Sequence, residues 1–317
     1  MLLTVLLLIL GFLLLIESAD FLVNGASALA SKLSISEMAI GLTVVAFGTS
    51  APELIVNIFA SLKNTAEITF GNIIGSNIIN ILLILGVSGI IYALHTRKNT
   101  VWREIPFSLL AVLVLYVMCN DYLFDSTKNI LSRSEGIILL VFFLIFLTYT
   151  FAISKVEIAD KFEIKTIGNF RMIIYLVAGL TGLILGGKLV VSNAVQIATA
   201  LGLSNKLIGL TIISIGTSLP ELFTSAVAAF KKKSDIAIGN IVGSNIFNIF
   251  FILGISAIIN PPFFDKSLNV DLFILFIASL FLFFTMFTGR KRILDRWEAI
   301  VLVCLYIAYI IFIIMRG

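Results

Sequence analysis

Ten stretches of this 317-residue sequence are apolar and long enough to cross ~30 Å of hydrocarbon, a distance that takes about 20 helical residues. They fall near 2–31, 35–62, 67–93, 104–122, 134–154, 171–200, 204–230, 236–259, 269–288 and 297–315. Hydrophobic residues make up 60% of the chain and charged residues 13%. The mean hydropathy is +1.13, which excludes a soluble domain of this length. Inside a bilayer every backbone polar group needs an internal partner, so the expected class is an all-α polytopic membrane protein.

The positive charges set the expected orientation. With the N-terminus outside, the inner loops carry fifteen Lys and Arg, from Lys32 through Lys231, Lys232 and Lys233 to Arg296. The outer loops and tail then carry six: Lys63, Lys128, Arg133, Lys206, Lys266 and Arg316. The positive-inside rule therefore favours both termini outside. No Lys or Arg precedes the apolar run Leu2 to Ile16, which opposes a cleaved signal peptide and favours a retained helix. The two cysteines, Cys119 and Cys304, match no metal spacing and read as small buried packing residues.

The sequence also repeats itself. Gly48-Thr49-Ser50-Ala51-Pro52-Glu53-Leu54 returns 168 residues later as Gly216-Thr217-Ser218-Leu219-Pro220-Glu221-Leu222. At the same offset, Gly71-Asn72 through Gly75-Ser76-Asn77 to Asn80 returns as Gly239-Asn240 through Gly243-Ser244-Asn245 to Asn248. The matches concentrate in Gly, Thr, Ser, Pro, Glu and Asn, types costly in lipid unless they line something. Packing alone would instead preserve the apolar positions. Five spans precede the loop at 155–170 and five follow it, which divides the chain into 1–154, 155–170 and 171–317. An odd number of spans makes the second five-helix repeat inverted, the arrangement of secondary transporters with a site near mid-membrane.

Each copy has the means to bind a cation. Pro52 and Pro220 supply no N–H to the carbonyls of Gly48 and Gly216, so each helix should break there. Open backbone at this depth is tolerated only around a cavity. Glu53 follows Thr49 by four residues and Glu221 follows Thr217 likewise, placing carbonyl, hydroxyl and carboxylate oxygens on one face. Ser50 with Glu53, and Ser218 with Glu221, also fit a capping box. A cap explains how the second half-helix starts. It does not explain two buried carboxylates, whose ionised forms need compensation that a bound cation supplies. Ser76 and Asn80, like Ser244 and Asn248, share a helical face and add neutral oxygens, while Gly71, Gly75, Gly239 and Gly243 allow close helix approach. His95, the one histidine, lies in a basic loop. Oxygen-only ligands suit hard cations, and Ca²⁺ accepts about six to eight of them in forgiving geometry. Two to three Na⁺ would use the same oxygens in alternation.

At these motifs the chain resembles the cation/calcium exchanger superfamily, specifically its sodium/calcium exchanger branch and the short archaeal and bacterial members. The resemblance covers nearly the whole sequence. It implies ten helices in two inverted repeats, with helices 2, 3, 7 and 8 discontinuous around a central cation site. It implies Glu53 and Glu221 as central Ca²⁺ ligands beside the carbonyls of Thr49 and Thr217. Ser50, Ser76, Ser218 and Ser244 would help form Na⁺ sites with the carbonyls of Ala46 and Ser214, and Asn80 and Asn248 would complete the centre. Potassium-dependent members have Asp where Asn248 stands, which argues against K⁺ coupling. Alternating access in this superfamily slides the first and sixth helices, here 2–31 and 171–200, against the rest. Asp20 aligns with Lys188, with Glu17 a turn away; access-path charges and snorkelling side chains both remain open for these three.

The reading is an antiporter exchanging Na⁺ for Ca²⁺, electrogenic and directed toward Ca²⁺ extrusion, in a prokaryotic plasma membrane. H⁺/Ca²⁺ exchange is the alternative, and a passive cation channel a further one. No enzymatic constellation, cofactor, nucleic-acid partner or obligate protein partner is expected; the partners are the two cations and the lipid bilayer.

Overall fold

In a computed structural model the protein is described for residues 2–121, 129–154, 168–202 and 214–316. The described chain is helical: α1 (Leu2–Leu33), α2 (Glu37–Thr49), α3 (Ala51–Leu62), α4 (Ala66–Ile91), α5 (Thr100–Cys119), α6 (Arg133–Ser154), α7 (Asn169–Ala200), α8 (Ser214–Thr217), α9 (Leu219–Phe230), α10 (Ser234–Ile259), α11 (Asn269–Thr285) and α12 (Arg296–Arg316). Among the described residues eight helices are long and apolar enough to cross a membrane, and α2 with α3 forms a ninth candidate bent by 48°. The expected span at 204–230 lies partly outside the described residues, which show its later part as α8 and the shorter apolar helix α9.

Burial sorts the helices into an inner and an outer set. The most apolar windows of α4 and α10 are 78% and 83% buried, whereas those of α1, α7 and α12 are 22%, 28% and 28% buried. The outer helices turn Leu, Ile, Val and Phe side chains outward, as surfaces facing hydrocarbon must. The inner pair carries Ser76, Asn77, Asn80, Ser244, Asn245 and Asn248, all almost wholly buried. Two helices rich in polar residues thus run through the centre, shielded from lipid by the rest. Helices α1 and α7 pack chiefly on each other. A Cβ on Gly179 would lie 2.7 Å from the backbone nitrogen of Leu22, so this seam depends on small residues.

The prolines act as expected only in part. Pro52 occupies the first turn of α3, where its missing N–H costs nothing, and Ser50 before it has φ −81° and ψ 8°, outside helical geometry. Ser218 repeats this with φ −88° and ψ 6° before α9. The expected breaks in the third and eighth spans are not found. Those spans are the continuous helices α4 and α10, and each contains a π-helical turn, at Ile79–Ile84 and Phe247–Ile252. Without a proline the backbone keeps its ladder and only widens it, which turns Asn80 and Asn248 within the bundle without exposing a helix end.

Two further expectations are corrected. Cys119 is buried, but Cys304 is exposed on α12 and faces outward with the apolar residues around it. The glycine pairs are not equivalent either. A Cβ on Gly239 would meet the Met38 carbonyl at 2.9 Å and one on Gly243 the Leu42 carbonyl at 2.6 Å, whereas Gly71 has nothing within 4 Å. In the second copy both glycines make the close crossing, against α2.

The ends of the bundle are joined by short extended pieces. β1 (Leu94–His95) pairs antiparallel with β2 (Ile293–Leu294), matching His95 with Ile293. Ile130 and Phe263 form an isolated antiparallel bridge.

Replacing Gly239 by Ala is expected to destabilise the protein by about 1–3 kcal/mol through overpacking. Gly71→Ala should be neutral or slightly stabilising, since helical Ala is favoured over Gly. Thermal unfolding of both variants in detergent checks the contrast.

Candidate cation site

The two Gly-Thr-Ser breaks meet at the centre. Ser50 Oγ donates to Glu221 Oε1 at 3.0 Å, and Ser218 Oγ donates to Glu53 Oε1 at 3.4 Å. Each break therefore supplies a hydroxyl to the other copy's carboxylate. The capping-box expectation is not met: neither serine Oγ accepts an N–H of its own helix, and each hydroxyl is turned to the carboxylate across the interface. Ser76, on α4, adds a second hydroxyl to Glu53 Oε1 at 3.4 Å. Both glutamates are 1% exposed.

The asparagines form a second reciprocal layer. Asn80 Nδ2 donates to Asn245 Oδ1 and Asn248 Nδ2 donates to Asn77 Oδ1, each at 2.9 Å. Asn77 and Asn245 exchange side-chain to backbone bonds at 3.3 and 3.5 Å. Asn77 and Asn245 thus hold α4 to α10 and fix the amides of Asn80 and Asn248. Sequence reasoning gave these two no role, although both stand at matching positions in the repeat.

What is left without a partner defines the chemistry. Glu53 Oε2, Glu221 Oε2, Asn80 Oδ1, Asn248 Oδ1, Ser244 Oγ and Thr217 Oγ1 are buried and accept or donate no hydrogen bond. All are oxygens, and two belong to carboxylates. Buried carbonyl and carboxyl oxygens left unsatisfied in this number are costly unless they face a cation. Among the described residues no cluster of three or more His, Cys, Asp or Glu exists, so the charge of the centre comes from these two glutamates alone.

The copies differ in how they are closed. Thr49 is fully buried; its hydroxyl donates to Asn240 Oδ1 at 3.0 Å, and Asn240 in turn donates to Ser225 Oγ at 3.0 Å and to the Glu221 carbonyl at 3.4 Å. The Ala46 carbonyl accepts the Ser50 N–H at 3.0 Å, with the Thr49 hydroxyl 3.3 Å away. On the other side the Ser218 N–H bonds Ile215 at 3.1 Å, so it leaves the Ser214 carbonyl without that bond. Thr217 is half-buried and opens onto a cavity of about 700 Å³, as does Asn72, whose Nδ2 has no partner. Asn72 is the counterpart of Asn240, yet it ties nothing down.

The same cavity is bordered by Asp271, which accepts hydrogen bonds from Tyr309 and Arg316 at 3.1 Å each. A similar pair, Glu104 accepting from Tyr149 at 3.1 Å, joins α5 to α6. These buried carboxylates carry no motif around them, and only the fold shows that a tyrosine donates to each.

The sodium/calcium exchanger protein family model matches residues 3–152 and 171–315. The chain belongs to that family. It is 38% identical to the putative antiporter CaxA of Alkalimonas amylolytica, with 98% of each chain covered. It is 32% identical to the sodium/calcium exchanger MaX1 of Methanosarcina acetivorans, covering 96% of this chain and 97% of that one. A solved structure of the sodium-calcium exchanger NCX_Mj, soaked with zero Na⁺ and Ca²⁺, superposes with a TM-score of 0.83 at 33% identity, covering 98% and 99% of the two chains. This exchanger is therefore a multi-pass membrane transporter of the prokaryotic cation/calcium exchange type.

Asn77→Ala strips the Asn248 amide of its acceptor and the Asn245 carbonyl of a donor. Orphaned buried groups cost about 1–3 kcal/mol each. The variant is expected to unfold at lower temperature than wild type, and added Ca²⁺ should restore less stability to it than to wild type.

Proposed function

We propose that the protein is a Na⁺/Ca²⁺ antiporter of the plasma membrane, and that Glu53, Glu221, Asn80, Asn248, Ser50, Ser76, Ser218, Ser244, Thr49 and Thr217 form its shared cation site. The carbonyls of Ser214 and Ala46 join it in the states that free them. The observation that carries this reading is the pair of buried carboxylates, each with one oxygen held by a serine from the other copy and one left without a donor. Such a pair offers two negative charges and a set of neutral oxygens, which matches Ca²⁺ in number and hardness. Loaded with more than two Na⁺, the same oxygens carry net positive charge, so exchange for Ca²⁺ is electrogenic. Driven by inward Na⁺, it extrudes Ca²⁺. The amide of Asn248 keeps the site at two charges, and this supports coupling without K⁺.

The inverted repeat is supported by where the helices end. Asn260, just beyond the C-terminal end of α10, donates to the Ser61 carbonyl near the end of α3 at 3.4 Å. The end of α9 instead leads directly into the N-terminal end of α10. Helices α3 and α9 thus finish at opposite ends of α10, as two copies crossing in opposite directions would. With ten spans, both termini lie outside and the basic loops inside.

Proteoliposomes with separately imposed Na⁺, K⁺ and H⁺ gradients test the reading. Uphill ⁴⁵Ca²⁺ uptake driven by an outward Na⁺ gradient is expected, with no effect of K⁺. Uptake that follows pH and ignores Na⁺ would replace it by H⁺/Ca²⁺ exchange, and uptake that never proceeds uphill by a channel. Glu53→Gln and Glu221→Gln should each lower exchange at least 100-fold while leaving the folded protein intact by gel filtration. Retention of exchange by either variant removes the central assignment.

A further inference from the structure

The turn between α9 and α10 is an ion-pair hub. Lys231 Nζ lies 2.5 Å from Asp20 Oδ1 and 2.8 Å from Asn24 Oδ1, and Asn24 Nδ2 donates to Asp20 Oδ2 at 2.8 Å. This fastens the turn to α1. Lys233 Nζ lies 2.7 Å from Glu37 Oε1, at the start of α2. Asp235 Oδ2 lies 2.9 Å from Arg97 Nε, just beyond β1. Three alternate residues of one turn therefore reach three separate elements, which Lys232 permits by adopting φ 59°.

The turn between α3 and α4 has the same backbone at the other end of the bundle. Asn64 also has φ 59°, and Lys63 and Thr65 bond back to Phe59 and Ala60 as Lys231 and Lys233 bond back to Val227 and Ala228. Its charges are not complementary. The offset of 168 residues maps Asp20 and Lys231 onto Lys188 and Lys63, which are both positive. It maps Arg97 and Asp235 onto Asp265 and Glu67, which are both negative and line one cavity of about 450 Å³. It maps Glu37 and Lys233 onto Asn205 and Thr65, which are neutral. The register is sound at Arg97 and Asp265, because each follows by two residues a partner in an extended pairing, His95 with Ile293 and Phe263 with Ile130.

We propose that this difference is a latch that sets which face of the transporter is open when no ion is bound. Opposite charges hold the Lys231 end shut. The counterpart positions at the Lys63 end carry like charges and supply no such ties; the 700 Å³ cavity that reaches Thr217 borders that end at Glu67 and Ser267, where the ion pair is Arg316 with Asp271. The latch rests on the alternating-access reading given above. Part-exposed pairs of this kind each shift an equilibrium about two- to fivefold, so three acting together bias the two states by about tenfold or more.

Hydrogen–deuterium exchange of the full-length protein in nanodiscs without Na⁺ or Ca²⁺ tests it. Asp20→Asn and Lys231→Gln are each expected to speed exchange about two- to fivefold at 231–237 and to slow it at 64–70, since closing one end accompanies opening the other. Lys231→Arg should behave as wild type, and the swap of Asp20→Lys with Lys231→Asp should restore the wild-type pattern. Lys188→Asp, which gives the Lys63 end an opposite charge, should slow exchange at 64–70. Faster exchange at 231–237 without a response at 64–70, or no change at either end, overturns the latch. Na⁺-driven Ca²⁺ uptake by the same preparations separates the two ideas: wild type without uptake sinks the antiport reading, whereas normal uptake with unmoved exchange sinks the latch alone.

Discussion

The fold is arranged around a pair of carboxylates that cannot be left alone in the middle of a membrane. Glu53 and Glu221 each take a hydroxyl from the opposite copy, through Ser218 and Ser50. Those two bonds need both helix breaks to face each other, which in turn needs α4 and α10 side by side behind them. The Asn77 and Asn245 exchange supplies that pairing. The outer helices then have one common task, which is to keep lipid away from a polar centre while presenting apolar residues to it. Their low burial follows directly, as does the need for glycine where α1 and α7 touch.

A site built this way is satisfied only in part by the protein. Each serine occupies one carboxylate oxygen and leaves the second, and each side-chain amide of Asn80 and Asn248 is fixed through its nitrogen with its oxygen left over. The arrangement suits an ion that is bound, released and replaced.

Much of this was legible in the sequence, because the residues involved are chemically out of place. Apolar runs are expected in a membrane protein, so a Pro-Glu or an Asn repeated within them stands out, and Glu53, Glu221, Ser50 and Ser218 all meet where the repeat implied. What sequence reasoning missed depended on distance relations that local rules do not carry. A capping box is a local rule, and Ser50 departs from it, its hydroxyl turned instead to a carboxylate 171 residues away. Proline spacing located two breaks, but the π turns at Asn80 and Asn248 have no comparable residue signal. Asn77 and Asn245 were given no role because their partners, each other, lie 168 residues apart. Glu104 and Asp271 were silent because a single carboxylate beside a tyrosine has no pattern.

Matching residues in the two copies also do different work, and the differences all run in one direction. Asn240 ties down Thr49, while Asn72 leaves Thr217 open to the cavity. Gly239 is packed against Met38, while Gly71 faces empty space. The Ala46 carbonyl accepts the Ser50 N–H, while Ser214 escapes the matching bond from Ser218. Each contrast closes the neighbourhood of Thr49 and loosens that of Thr217. A strictly symmetric pair of repeats would have no reason to prefer one access state over the other, since exchanging the copies would exchange the states at equal energy. Any preference must come from positions where the copies diverge. On the antiport reading, the phrases shared by the two copies would supply the site, and the diverged residues around them its direction.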